Sequence, residues 1–204
     1  MNDELERRLA SSRPEPDLDM SGLRASLAAR AAGEGLLDVA YDVHDSPLGQ
    51  LTIVVTPRGL VRLSYPGEPL DEQLDELAVR ISPRILRAPA RTDAVRRQLD
   101  AYFEGRRRAF EVPIDWRLVR GFAGDVLRAT ARIPFGQVSS YREIAVEAGS
   151  PRAYRAAGNA LGSNPIPIVV PCHRVLHAGG GLGGYTGGVD RKRFLLRLEG
   201  ALGG

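Results

Sequence analysis

Apolar and polar positions alternate along the middle of the chain in the manner of short strands. Residues 37–43 alternate in part, and the apolar runs 51–55 and 60–65 flank the turn formers Pro57-Arg58-Gly59. Short apolar runs bounded by Gly and Pro predict an antiparallel β-meander. Helical spacing takes over at residues 70–80 and 92–103, with short strands predicted near Ile85 and Phe110. After residues 113–117 the pattern becomes mainly helical. Before residue 36 it is weak: Arg13-Pro14-Glu15-Pro16-Asp17 breaks regular structure, and residues 21–32 predict one short helix with Leu23 and Leu27 on a face. The chain therefore divides into a flexible N-terminal tail (1–35), a small α/β domain (36–114) and a mainly helical C-terminal domain (115–204). No internal repeat is evident.

Within the helical part, Ser140-Tyr141-Arg142-Glu143 has the form of a capping box, in which a serine hydroxyl and a glutamate three residues later satisfy each other's free backbone amides. Gly149 suits the left-handed position that closes a helix. Ser150-Pro151 reads as a second cap with a first-turn proline, opening a helix that runs to about Leu161 before Gly162. Two short helices around a tight glycine-containing turn form a helix-turn-helix.

Charge changes this picture only in its distribution. The formal net charge is +3. Residues 1–114 hold 16 basic against 19 acidic groups, whereas residues 115–204 hold 12 basic against 6 acidic. The C-terminal part is therefore the one expected to meet a polyanion. No run of about 18 apolar residues predicts a membrane span, and the first ten residues lack the apolar core of a signal peptide.

One cysteine, Cys172, lies in Asn164-Pro165-Ile166-Pro167-Ile168-Val169-Val170-Pro171-Cys172-His173-Arg174-Val175. A lone thiol forms no internal disulfide and supplies no Cys pair to a structural zinc site, so no structural metal is expected, and an unpaired thiol fits a reduced, cytoplasmic setting. It is either an inert buried residue or a nucleophile. A thiol reacts well only where a base or positive charge favours its thiolate, and His173 and Arg174 follow at once. Pro167 and Pro171 stiffen the backbone and remove amide donors, as suits a shaped pocket wall. The glycine-rich stretch 179–188 is not a phosphate loop, because it lacks the lysine-serine ending.

This string resembles the active-site signature of the O6-alkylguanine-DNA alkyltransferases (methylated-DNA–protein-cysteine methyltransferases), bacterial single-function type. The resemblance continues through Ile133-Pro134-Phe135-Gly136-Gln137-Val138-Ser139-Ser140-Tyr141, Arg155-Ala156-Ala157-Gly158-Asn159-Ala160, Gly183-Gly184-Tyr185-Thr186-Gly187-Gly188, Lys192 and Leu195-Leu196-Arg197-Leu198-Glu199-Gly200. Ser46-Pro47-Leu48-Gly49 and Leu99-Asp100-Ala101-Tyr102-Phe103-Glu104-Gly105 look like the family's N-terminal domain, so the match covers residues 38–200. It implies an α+β fold: a small ribonuclease H-like α/β domain with an antiparallel meander, then a mainly helical domain carrying the helix-turn-helix and the cysteine.

The resemblance also implies a reaction. An alkyl group on guanine O6, or on O4 of thymine, in double-stranded DNA passes irreversibly to Cys172, so each molecule acts once and needs no methyl-donor cofactor. A base inside a duplex is out of reach of a thiol in a pocket, so it must be flipped out. The second helix carries Arg152, Arg155, Ala156 and Gly158, a small-residue face that suits a narrow groove better than base reading. In the family this helix enters the minor groove; Arg155 would fill the gap left by the flipped base, and Arg152 would hold phosphate. His173 would deprotonate Cys172 through a water, Glu199 would orient His173, Tyr141 would donate to guanine N3, and Asn164 would hold the turn after the recognition helix. Carbonyls of Cys172 and Val175 would meet the exocyclic amine and the Thr186 amide would meet O6. Tyr185 would form a mobile wall, with Pro167 and Leu161 in apolar contact. A monomer is expected, with cooperative clustering on DNA left open.

Plainer roles compete with each of these. Tyr141 is also readable as a core aromatic, His173 as a satisfied core histidine, Glu199 as a surface partner of Arg193 or Arg197, and Asn164 as a turn residue. Their joint order and spacing favour the functional reading. Three departures from the family pattern stand out: Leu127 where many relatives have tryptophan after the phenylalanine matched by Phe122, only His44 where some have a zinc site, and no second cysteine-rich module. A lesion-binding protein is disfavoured by Cys172 itself. A thiol hydrolase would need an oxyanion hole, and a helix-turn-helix regulator would leave the proline-bounded cysteine unexplained.

Overall fold

The computed structural model describes residues 20–202. The breaker segment 13–17 and the first nineteen residues of the predicted tail lie outside the described residues. The helix predicted over 21–32 is present as α1 (Met20–Gly33). Its buried residue is Ala28, with Ala31 and Ala32 partly buried, while Leu23 and Leu27 face solvent. This part of the segment read as tail is therefore a helix whose alanines, and not its leucines, meet the core.

The meander forms as β1 (Val39–His44), β2 (Leu51–Thr56) and β3 (Gly59–Ser64). The sheet order is β3-β2-β1-β4, with β4 (Ile85–Arg87) parallel to β1. α2 (Leu70–Arg80) buries Leu77, and α3 (Pro89–Phe103) buries Val95, Leu99 and Tyr102. Each such buried apolar side chain contributes about 1.5–3 kcal/mol. The strand predicted near Phe110 does not form. Ile114 instead makes an isolated parallel bridge to Leu60, because the connecting segment is spent on joining the two parts of the chain.

That connection is tightly held. Leu60 N donates to Pro113 O and Asp115 N to Leu60 O, both at 2.8 Å. Buried Asp115 accepts from Thr56 Oγ1 at 2.6 Å and from the Arg117 guanidinium. Gly59 has φ +130, and a Cβ built there would lie 2.1 Å from Pro113 O. Gly59→Ala is therefore expected to cost about 3 kcal/mol, a Tm fall of roughly 6–12 °C in thermal unfolding, because neither backbone can yield without breaking this junction.

The C-terminal part holds α4 (Gly121–Thr130), α5 (Tyr141–Glu147), α6 (Tyr154–Gly162) and α7 (Val189–Leu198). The strands β5 (Ser139–Ser140) and β6 (Val175–Leu176) pair in parallel. The Ser140–Glu143 capping box forms in both directions, and Gly149 closes α5 at φ +78. The second predicted cap does not form. Ser150-Pro151-Arg152 makes a turn, with Ala153 N bonded to Ser150 O at 2.9 Å, and α6 starts at Tyr154 without a side-chain cap. Buried Leu127 and partly buried Phe122 belong to the same apolar cluster, so the missing tryptophan is a matter of packing. That cluster runs from the sheet through α4, α5 and α6 to Cys172 without a break.

Candidate active site

After α6 the chain must turn sharply to bring residues 166–172 back under it. Asn164 holds that turn: its Oδ1 accepts from Ile166 N at 3.0 Å and its Nδ2 donates to Val170 O at 2.8 Å. Between those anchors Ile168 sits at φ +71, the one non-glycine residue with positive φ among the described residues. A β-branched residue in the left-handed region costs on the order of 1–3 kcal/mol, which the surrounding bonds must overcome. The strained segment delivers Cys172 into a short 3₁₀ turn, Cys172–Arg174, just before β6.

The Asn164 amide also reaches Cys172 Sγ at 3.1 Å. Burial pushes the thiol's pKa up. The Asn164 amide, the Lys192 charge, the Cys172 amide and the Tyr185 hydroxyl all act the other way, favouring thiolate. Lys192 is fully buried and donates to Val175 O at 2.6 Å; burial lowers its pKa to about 8.

Behind the thiol lies a buried polar cluster. His173 Nε2 is 2.9 Å from Glu199 Oε1. The Arg174 guanidinium grips both oxygens of Glu199, at 2.8 Å each, and Tyr102 Oη donates to Oε1 at 2.6 Å. Burial works against the Glu199 charge, but the bonds from His173 and Arg174 bring its pKa down to about 2. Burial lowers the His173 pKa against the opposing pull of Glu199, so the ring is neutral. A neutral imidazole that donates Nε2–H to a carboxylate keeps a lone pair on Nδ1. That atom is buried and has no partner among the described residues. Glu199 is therefore not a surface partner of Arg193 or Arg197.

Cys172 opens onto a cavity of about 670 Å³ bordered by α5 and α6. Of the residues singled out in the sequence, Tyr141, Arg155, Gly158, Leu161, Tyr185 and Thr186 line it with Cys172. Burial raises the Tyr141 pKa, and so would a thiolate at Cys172, so the phenol stays protonated. His173, Glu199 and Asn164 stand behind the wall. Arg152 and Ala156 are exposed on the helix-turn-helix and do not line the cavity. Pro167 faces a separate depression with Tyr65, and Val175 is buried with its carbonyl already taken by Lys192. These two do not line the cavity: Pro167 lies in the turn that Asn164 holds, and Val175 is paired with Ser139 in β6. The Thr186 hydroxyl donates to Gly162 O, tying the glycine-rich loop to the end of α6.

Sequence reading missed several groups. Arg174 lies in the motif itself, and a charge inside an apolar run was the signal for its buried pairing. Tyr102 lay in a matched segment but carried no sign of its target. His177 lines the cavity, its ring 5.2 Å from that of Tyr141. A Cβ at Gly183 would lie 2.9 Å from Tyr141 Oη and 3.0 Å from His177 Nε2, so a larger residue there would displace both rings.

Fold and site together define a two-part thiol protein in which a helix-turn-helix borders the cavity of a single carboxylate- and histidine-supported cysteine. Family models match both parts: "6-O-methylguanine DNA methyltransferase, ribonuclease-like domain" over residues 39–116 and "6-O-methylguanine DNA methyltransferase, DNA binding domain" over 121–201. The chain belongs to the 6-O-methylguanine DNA methyltransferase family. It is 40% identical over 161 residues to the methylated-DNA–protein-cysteine methyltransferase of Mycobacterium tuberculosis, covering 79% of this chain and 92% of that one. The Methanosarcina barkeri protein of the same name is 37% identical, over 78% of this chain and 96% of its own. Among solved structures, M. tuberculosis OGT in complex with DNA matches with a TM-score of 0.68 at 40% identity, covering 79% of this chain and 93% of that one. Among the described residues no helix is long and apolar enough to cross a membrane.

Proposed function

We propose that this protein repairs DNA by direct reversal, moving the alkyl group of O6-alkylguanine in duplex DNA onto its own Cys172. The observation that carries this reading is a supported thiol at the floor of a cavity whose rim is a helix-turn-helix. Residues 115–204 bind the duplex through its minor groove, and residues 36–114 hold the site from behind. Arg155, exposed at the cavity rim, takes the place of the extruded base, while Arg152 and Ala156 lie against the backbone. The cavity then receives the base between Tyr141, Leu161 and Tyr185.

His173 Nδ1 takes the thiol proton through one intervening water. The thiolate attacks the alkyl carbon, an S–C bond forms, and the C–O6 bond breaks with its electron pair passing to guanine. Tyr141 Oη donates a proton toward N3, neutralising the leaving group, and recovers one from solvent. The thioether is stable, so one molecule performs one transfer. O4-alkylthymine, with the same alkyl–oxygen bond, is the second substrate. The protein acts as a monomer in the cytoplasm, where a free thiol persists.

Intact-mass measurement after mixing with a duplex carrying one O6-methylguanine tests this reading. A gain of one methyl group per molecule is expected, on the Cys172 peptide, and absent in Cys172→Ala. Tighter binding to the lesion without mass gain would point to lesion recognition alone.

A further inference from the structure

The Tyr185 hydroxyl, which shares the cavity with the thiol, belongs to a pair. Tyr185 Oη lies 2.7 Å from the Oη of Tyr65, which is 120 positions earlier and directly follows β3. Tyr65 is 5% exposed, and the two rings meet edge-on with centroids 6.1 Å apart. The Arg191 guanidinium stands over the Tyr65 ring at 5.0 Å, fixed by its bonds to Gly187 O and Leu48 O. A Cβ at Gly187 would fall 2.5 Å from the Tyr65 ring, so glycine at this point is what lets Tyr65 reach Tyr185.

We propose that Tyr65 is a positioning residue for the reacting thiol: its hydroxyl donates to Tyr185 Oη, which leaves the Tyr185 proton free to point at Cys172 Sγ. Each phenol has one proton. If Tyr185 gave its proton to Tyr65, only lone pairs would face the sulfur, and these would repel a thiolate. The Arg191 guanidinium over the Tyr65 ring favours Tyr65 as the donor, because a nearby cation polarises the phenol O–H. The chain Tyr65→Tyr185→Cys172 therefore aligns when the thiol ionises. The remaining groups acting on the sulfur are the Asn164 amide, the Lys192 charge and the Cys172 amide, and Tyr141 shares its cavity. The N-terminal part thus acts on the sulfur through this pair, in addition to the bond that Tyr102 makes to Glu199.

The inference rests on Cys172 being the reacting group, and its test needs no DNA. The rate of carbamidomethylation of Cys172 by iodoacetamide is followed against pH in the full chain, for wild type, Tyr65→Phe, Tyr185→Phe and the double variant. Tyr65→Phe removes one oxygen and keeps the ring. Loss of one donor from the chain is expected to raise the apparent thiol pKa by about half a unit and slow the reaction near pH 7 about threefold. In the double variant the shift should equal that of Tyr185→Phe alone. An unchanged profile in Tyr65→Phe, or shifts that add in the double variant, would overturn the proposal; a purely structural latch would alter loop stability without moving the profile. Should Tyr65→Phe fold poorly, Tyr185→Phe with Tyr65 intact decides the matter, since no shift there removes the relay. Failure of methyl transfer from DNA in wild type would sink the repair reading and leave this pH profile still decisive for the pair.

Discussion

Glu199→Gln is expected to destabilise the protein by about 3–5 kcal/mol and to abolish most methyl transfer. The change is isosteric, so volume is not the cause. Glu199 Oε1 accepts from Tyr102, His173 and Arg174, and Oε2 accepts from Arg174 and, at 3.5 Å, from Gly136 N. An amide offers one acceptor oxygen, and its NH₂ would face donors wherever it is placed. Arg174, 6% exposed, would keep its charge with no carboxylate to balance it, only Ile133 O and at most one amide oxygen. Urea unfolding reads the stability loss. Replacing both partners, Glu199→Leu with Arg174→Met, should recover much of that stability, because the guanidinium no longer lies buried without its carboxylate. It should not recover transfer, since His173 would have lost the carboxylate that fixes its tautomer. Restored transfer in the double variant would show that the carboxylate matters for folding alone.

The same carboxylate predicts acid sensitivity. Its folded pKa of about 2 lies below its ordinary value of 4.5. The stability it contributes is therefore complete above pH 4.5 and is lost as pH falls toward 2, on the order of 3 kcal/mol in all. His173, also held below its ordinary value, adds a loss of the same sign that begins nearer pH 6.5. Glu199→Gln should flatten the lower part of this dependence.

Asn164→Asp is expected to slow transfer at neutral pH about a hundredfold while keeping the fold. Asp keeps the oxygen that accepts from Ile166 N but replaces the donor to Val170 O and to Cys172 Sγ, 3.1 Å away, with a second oxygen. A carboxylate there opposes the thiolate, so either the thiol stays protonated or the new acid does. The rate should recover as pH is raised through the new thiol pKa, in single-turnover transfer from O6-methylguanine duplex. A pH-independent loss would indicate misplacement of the cysteine by a disturbed Ile168 turn.

Much of this architecture was legible from local pattern. The alternation on either side of Pro57-Arg58-Gly59 predicted the meander, whose strands form at Leu51–Thr56 and Gly59–Ser64. The Ser140–Glu143 box and Gly149 predicted the bounds of α5, since caps depend only on residues within one turn. Ser150-Pro151 has the same local character and nevertheless forms a turn instead of a cap. Helical spacing puts Leu23 and Leu27 on one face of α1, and packing turns Ala28, not that face, to the core.

What the sequence determined by itself was everything set within a few residues: the strands and their turn, the capped first helix of the pair, and the order Asn164, Cys172, His173 along one proline-stiffened segment. Only the tertiary structure decided which distant groups converge on that segment. Tyr102 reaches Glu199 across 97 positions and Tyr65 reaches Tyr185 across 120. Lys192 comes in from α7, while Pro167 is turned away. Local conformation follows from sterics and hydrogen bonds between near neighbours, which the order of residues specifies directly. Convergence follows from how helices and sheet close over a shared core, and a buried charge or hydroxyl finds its partner only once that core has formed.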